Sequence, residues 1–147
     1  MLKLIFRRSD VELREHQLRV LEAIATGGQV VYVAGVGGGK TLAFTLPTFT
    51  QQDGVTVVIQ PLKALLHDTK KRLEDWGIRA MIWEGDEPEG SFSVLLVSPE
   101  AIESNRWDFF VNRYRDKWLI DRVVLDEAYA PSPCWSGTLT TYIGRKV

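Results

Sequence analysis

Two hydrophobic rhythms alternate along this chain. From Val11 to Ala25, the apolar residues Val11, Leu13, Leu18, Val20, Leu21 and Ile24 fit one side of a helix, and Gly27-Gly28 stops it. Val30-Val31-Tyr32-Val33 then reads as a buried strand, and Thr41 to Leu46 as the start of a second helix that Pro47 ends or bends. After the turn Gln51-Gln52-Asp53-Gly54, the β-branched run Val55 to Ile59 has no polar alternation, as expected for a strand covered on both faces. Pro61 terminates it. From Leu62 to Trp76, Leu62, Leu65, Leu66 and Leu73 keep helical register while Asp68, Lys70, Lys71 and Arg72 are solvated, and Gly77 is a natural stop. Ile78 to Trp83 is a short strand, Glu84 to Gly90 an acidic loop, and Val94 to Val97 another buried strand ended by Ser98-Pro99. Ala101 to Leu119 is helical with a break near Asn105, and Ile120 to Leu125 is a last apolar strand with Asp126-Glu127 at its carboxyl end.

Strands thus alternate with helices, without internal repeats or low-complexity linkers. That pattern predicts an α/β domain built on a parallel sheet with helices on both faces, and ligands in such folds bind at the carboxyl ends of the strands. A length of 147 residues suits one domain, spanning residues 1–147. With 45% hydrophobic and 25% charged residues the composition is that of an ordinary globular protein. The net charge of -1 supplies no general attraction to nucleic acid or anionic lipid, so such contacts must come from local patches. A single cysteine, Cys134, cannot form an internal disulfide, and His16 and His67 lack partners at metal-binding spacing. No apolar run reaches the length of a membrane span, and Met1 to Arg8 is too quickly charged for a secretory signal. An intracellular, non-secreted protein without membrane contact is expected, nuclear if eukaryotic.

The candidate chemistry begins at Ala34-Gly35-Val36-Gly37-Gly38-Gly39-Lys40-Thr41, between the first strand and the second helix. A triphosphate needs donors at close range. Gly35, Gly37, Gly38 and Gly39 permit backbone angles that turn successive N–H groups inward around phosphate oxygens. Lys40 adds a positive charge at the β- and γ-phosphates, Thr41 offers a hydroxyl to Mg²⁺, and the helix starting there points its positive end at the anion. Ala34 stands where the stricter phosphate-loop pattern has glycine; the looser Ala-x-x-Gly-x-Gly-Lys-Thr fits at every fixed place.

Val123-Val124-Leu125-Asp126-Glu127-Ala128-Tyr129 supplies the partner element. A carboxylate at a strand's end can hold Mg²⁺ and an adjacent one can orient the attacking water, so Asp126 is assigned to the metal and Glu127 to the water. A GTPase is disfavoured, because Asn105-Arg106-Trp107-Asp108 has arginine for the lysine of the guanine-reading motif, precedes the acidic pair, and comes with no Asp-x-x-Gly. In a small-molecule kinase Glu127 would have no task.

Taken in order, these elements resemble superfamily 2 helicases, and within them the RecQ-like ATP-dependent DNA helicases. Leu13-Arg14-Glu15-His16-Gln17 looks like the upstream Phe-Arg-x-x-Gln element, which implies that Gln17 reads the adenine edge. Ala34 to Thr41 resembles motif I. Pro61-Leu62-Lys63-Ala64-Leu65 followed by Asp68 looks like motif Ia, and Val97-Ser98-Pro99-Glu100 is similar to motif Ib. Both imply contact with a DNA backbone, by Pro61, Leu62 and Lys63 and by Ser98, Pro99 and Glu100. Asp126-Glu127-Ala128-Tyr129 matches the Asp-Glu-Ala-His box with tyrosine in the histidine place. Pro131 to Gly137, containing Trp135 and with Tyr142 beyond, looks like the family's aromatic-rich loop without its usual Phe-Arg, and Trp135 either meets DNA or anchors a surface loop.

The resemblance implies a RecA-like P-loop NTPase lobe, incomplete at its C-terminus, using ATP and Mg²⁺ and acting on single-stranded DNA or a duplex junction. Motif III and the second helicase lobe are not among these residues, so a first lobe that binds ATP but hydrolyses it weakly is expected. The alternative is a truncated nucleotide-binding or interaction remnant without helicase activity. The basic runs Lys70-Lys71-Arg72 and Arg113-Arg115-Lys117 read as solvated helix faces, and Trp76, Trp83, Trp107 and Trp118 as core residues.

Overall fold

A computed structural model describes residues 12–27, 29–34, 38–50, 54–117, 119–126 and 139–145. In chain order these form α1 (Glu15–Ala25), β1 (Val30–Ala34), α2 (Lys40–Thr50), β2 (Val55–Ile59), α3 (Lys63–Asp75), β3 (Ala80–Ile82), β4 (Val94–Val97), α4 (Pro99–Ile102), α5 (Asn105–Asp116), β5 (Ile120–Leu125) and β6 (Leu139–Arg145). The strands make one sheet in the order β1-β6-β5-β2-β4-β3. β2 runs parallel to both β4 and β5, and β3 parallel to β4.

β2 and β4 are largely apolar on both sides because each side is covered. Val58, Leu96, Val94 and Val124 pack with Val20 and Ile24 of α1, Phe44 of α2 and Leu66 and Leu73 of α3. Val55, Val57, Leu95 and Val97 point the other way, into Trp107 and Phe110 of α5 with Trp83 and Phe92. Helices therefore lie on both faces, as the continuous apolar runs predict. Toward β1 the α5 side is open: Val31, Val33 and Val123 remain exposed.

Three local expectations are corrected. α1 begins at Glu15, so Leu13 precedes it, while Val11 lies outside the described residues. α2 runs through Pro47 to Thr50, held by burial of Leu42, Ala43, Phe44 and Leu46 around the missing backbone donor. β3, β4, β2 and β5 form the parallel sheet that the sequence predicts; the aromatic loop read at Pro131 to Gly137 lies outside the described residues, and after it the sheet gains a strand that the sequence did not predict, β6. It runs antiparallel between β1 and β5, pairing Val30 with Ile143 and Leu125 with Tyr142. An antiparallel neighbour needs no crossover helix, so a chain leaving β5 can enter that slot directly.

Helix ends follow the residues that specify them. Ser104 caps α5, its hydroxyl accepting from the Trp107 N–H at 3.2 Å, so the break expected near Asn105 falls between α4 and α5. α3 closes with Gly77 at φ 78°, its N–H donating to the Glu74 carbonyl at 2.8 Å while the Ile78 N–H reaches the Leu73 carbonyl at 2.9 Å. This paired closure needs the left-handed angle that glycine adopts without strain. A Cβ at Gly77 would meet nothing within 4 Å, so its cost is purely one of backbone conformation. Gly77→Ala is expected to destabilise the domain by about 1–2 kcal/mol in urea unfolding; an unchanged midpoint would contradict the assigned closure.

Candidate functional site

The carboxyl edge of the sheet is where strand order brings distant residues together. β1 ends at Ala34 and β5 at Leu125, and both flank β6, opposite Leu139 and Tyr142. The loop leaving β1 and the acidic pair leaving β5 therefore start from strands two spacings apart, roughly 10 Å.

Of the phosphate loop, Ala34 and Gly38 to Thr41 are described; Gly35, Val36 and Gly37 lie outside the described residues. Lys40 is the first residue of α2 and Thr41 the second. Their position gives them the helix's unsatisfied N–H groups and its positive dipole end. Gly39 has φ 77°, and a Cβ there would collide with Gln17 Nε2. Glycine at this place is thus favoured by its angle, and the missing Cβ leaves room for the end of the Gln17 side chain as it lies here.

Gln17 itself is buried. Its Oε1 accepts the Arg14 N–H at 2.9 Å, closing the first turn of α1, and its Nε2 faces the loop. The structure thus brings Gln17 to the phosphate loop, with one half of its amide already used for capping.

A residue missed from the sequence completes this corner. Tyr32, in the middle of β1, is buried and donates its hydroxyl hydrogen to the Gly38 carbonyl at 2.9 Å. Burial raises the hydroxyl's pKa above its usual 10.0, with the Arg14 charge pulling weakly the other way. The group stays a neutral donor through the physiological range. His16, exposed at the surface, stacks on the same ring with centroids 6.0 Å apart. The signal was a polar-tipped aromatic among valines, which a core reading absorbs without remark.

Asp126 is buried at the end of β5. Its N–H donates to the Ile59 carbonyl at 2.9 Å, and its Oδ2 accepts from Gln60 Nε2, also at 2.9 Å. The same Gln60 nitrogen reaches Thr69 Oγ of α3 at 3.1 Å. Gln60 and Thr69 were not anticipated; their signal was a buried amide between a β-branched strand and a proline. Glu127, Tyr129 and Trp135 lie outside the described residues.

The chemistry of the donor set suits a small hard cation. Mg²⁺ takes oxygen ligands and commonly needs only one or two protein groups beside phosphate oxygens and water. A carboxylate oriented by Gln60 and a hydroxyl at a helix start are of that type.

The two turns proposed to meet DNA lie side by side, because β2 and β4 are neighbours. Pro61, Leu62 and Lys63 are exposed at the start of α3, with Leu62 58% accessible. Ser98 is buried, Pro99 begins α4, and Glu100 is exposed. The Ser98 hydroxyl bonds the Glu100 carboxylate and, with the nearby Lys63 charge, holds it below the usual carboxylate range. The two turns thus share one surface. Asn105 to Asp108 form the first turn of α5, beside β3 at the other edge of the sheet from β1, in keeping with the rejection of a guanine-reading role. Among the described residues no helix is long and apolar enough to cross a membrane.

Comparison with known proteins accords with this geometry. The DEAD/DEAH box helicase model matches residues 14–129. The ATP-dependent DNA helicase hus2/rqh1 of Schizosaccharomyces pombe is 29% identical over 137 aligned positions, covering 81% of this chain and 10% of that protein. The RecQ-like DNA helicase BLM of Xenopus laevis is 28% identical, covering 90% of this chain and 11% of that one. The ATP-dependent DNA helicase RecQ of Haemophilus influenzae is 27% identical, covering 81% and 20%. The chain thus spans between 10% and 20% of the length of these relatives. The DUF1998 helicase MrfA, solved bound to DNA and AMPPNP, superposes with a TM-score of 0.69 at 20% identity, over 84% of this chain and 20% of that one, and shares the fold. Because the family model spans residues 14–129 of the 147, the chain belongs to the DEAD/DEAH box helicases, and the relatives it resembles are RecQ-like.

Proposed function

We propose that this chain is the ATP-binding lobe of an ATP-dependent DNA helicase of the RecQ-like kind. The observation that carries the reading is the shared carboxyl edge: the start of α2 with Lys40 and Thr41 on one side of β6, and a buried, oriented Asp126 on the other. Lys40 and the loop amides bind the β- and γ-phosphates, and Gln17 recognises adenine. Thr41 and Asp126 would hold Mg²⁺, which would supply positive charge to offset that of the phosphates. Glu127 orients the attacking water. Pro61, Leu62, Lys63, Ser98, Pro99 and Glu100 form the DNA-facing surface, with Trp135 beside it, and a second helicase lobe completes the machine. A DNA substrate places the protein inside the cell, in the nucleus of a eukaryote.

One residue favours a second reading. Tyr129 stands where the family's box has histidine, and a phenol does not titrate near neutral pH as imidazole does. A lobe that binds nucleotide without coupling it to DNA fits that change.

Calorimetric titration is expected to show Mg-ATP binding in preference to Mg-GTP, with binding abolished by Lys40→Ala and the preference reduced by Gln17→Ala. Equal affinity of wild type and Lys40→Ala for ATP would refute the phosphate-loop assignment. In a longer form carrying the second lobe, hydrolysis should be DNA-stimulated and lost in Glu127→Gln. Nucleotide binding without DNA stimulation in that form would favour the uncoupled reading.

Tyr32→Phe should lose about 1 kcal/mol of stability at neutral pH and weaken ATP binding several-fold, since the Gly38 carbonyl loses its donor. Because the folded-state pKa is raised, the part of the wild-type advantage linked to the hydroxyl proton is fully present below the unfolded value of 10.0 and is lost as pH rises through the folded one. Denaturation curves from pH 7 to 11 read this directly, and an advantage that grew with alkalinity would exclude the hydrogen bond as its source.

A further inference from the structure

Gln60 is where four elements of the fold meet, and neither the phosphate loop nor the core accounts for it. It directly follows the β-branched run of β2 and is 3% exposed. Its N–H donates to the Val97 carbonyl of β4 at 3.0 Å. Its Nε2 donates to Asp126 Oδ2 at the end of β5, at 2.9 Å, and to Thr69 Oγ1 of α3, at 3.1 Å. Thr69 and Asp126 are buried as well.

The carboxylate decides which way the amide faces. A carboxylate only accepts, so the nitrogen of Gln60 and not its oxygen must lie against Oδ2. That nitrogen carries two hydrogens, and the Thr69 hydroxyl oxygen takes the second. The amide is thus held from both sides, by β5 and by α3. This orientation is kept although Gln60 Oε1 is buried without a hydrogen-bond partner among the described residues, a cost that an apolar side chain at the same place would not carry. What the amide adds to the fold is therefore its two donations.

We propose that Gln60 and Thr69 are positioning residues for the candidate metal ligand: Thr69 sets the Gln60 amide, and the amide sets the Asp126 carboxylate for Mg²⁺ that arrives with the nucleotide. The proposal rests on the assignment of Asp126 to the metal. Mg²⁺ is strict about the placement of its oxygen ligands, and a carboxylate turns about its own bond unless one oxygen is held. Groups that hold a ligand in this way govern metal affinity without touching the ion. α3 thereby bears on the metal site through two hydrogen bonds in series.

Calorimetric titration of the 147-residue chain with ATP, once in EDTA and once in saturating Mg²⁺, tests it. The ratio of the two affinities refers each variant to itself, so a general weakening of the nucleotide site cancels. Wild type should gain affinity when Mg²⁺ is added. Gln60→Met, which keeps the length of the side chain and donates nothing, should lose about tenfold of that gain. Thr69→Val, nearly the same shape without the hydroxyl, should lose several-fold, and Thr69→Ser should retain most of it. A measurement on the wild-type chain needs no variant to fold: in NMR spectra of the ATP-bound form, the Gln60 side-chain amide protons should shift on addition of Mg²⁺. An undiminished gain in Gln60→Met, a Thr69→Ser variant as impaired as Thr69→Val, or an amide pair that ignores Mg²⁺ would overturn the proposal and leave the assignment of Asp126 standing. A wild-type affinity indifferent to Mg²⁺ would remove that assignment, and the proposal with it.

Discussion

Between Gln17 of α1 and Gly39 of the phosphate loop there is no room for a side chain. The nucleotide corner depends on that contact. Glycine takes the left-handed angle at Gly39 without strain, and the absent Cβ leaves the space that the Gln17 amide occupies. α1 is held in place by its own packing: Val20 and Ile24 share the main core with Phe44 of α2, and Leu21 joins Leu42 and Leu46. The Tyr32 hydroxyl fastens Gly38 from below. Gly38 and Gly39 are thus met by a strand and a helix before any anion arrives, and restraint of that kind lowers the ordering cost of binding.

The acidic side is built on a different economy. Asp126 is a buried carboxylate, and such groups are tolerated only when their lone pairs are met. Gln60 meets one, and the backbone of Ile59 fixes the residue's position. Gln60 sits between the last strand residue of β2 and Pro61, so the amide orienting the candidate metal ligand also borders the turn assigned to DNA. Its Oε1 has no hydrogen-bond partner among the described residues, which do not by themselves satisfy the network. A polar cluster of this kind is stiff where it is bonded and responsive where it is not.

Most of this was legible in the residues, for reasons that differ by element. β2 and β4 read as buried strands because a sheet covered on both faces leaves no place for polar alternation, and Val55 to Ile59 and Val94 to Val97 have none. Gly77 read as a helix end because a left-handed closure has few other candidates. What escaped notice was set by long-range pairing. The run Leu139 to Arg145 contains good strand formers, yet only the open slot between β1 and β5 makes a strand of it, and that slot is not visible locally. Pro47 misled in the opposite direction: tertiary burial of Phe44 and Leu46 holds the helix together past a residue that breaks isolated ones. Tyr32 and Gln60 were visible as residue types, but their partners, Gly38 and Asp126, could be assigned only in three dimensions.

Strand order also decides how the candidate functions are laid out. In sequence the phosphate loop comes first and the acidic pair last. In the sheet, β1 and β5 are separated by one strand, β2 and β4 follow, and β3 stands at the far edge. Along one carboxyl edge this gives the nucleotide corner, the two candidate DNA turns, and the first turn of α5, in that order. The turns occupy the middle because β2 and β4 are the most completely buried strands, and a rigid, doubly covered strand is the firmest base from which a loop can be aimed. The outer positions go to β1, whose Val31 and Val33 remain exposed, and to short β3. The same burial that makes the centre stable thus fixes the direction of its loops and leaves the two edges as the places where other surfaces can be met.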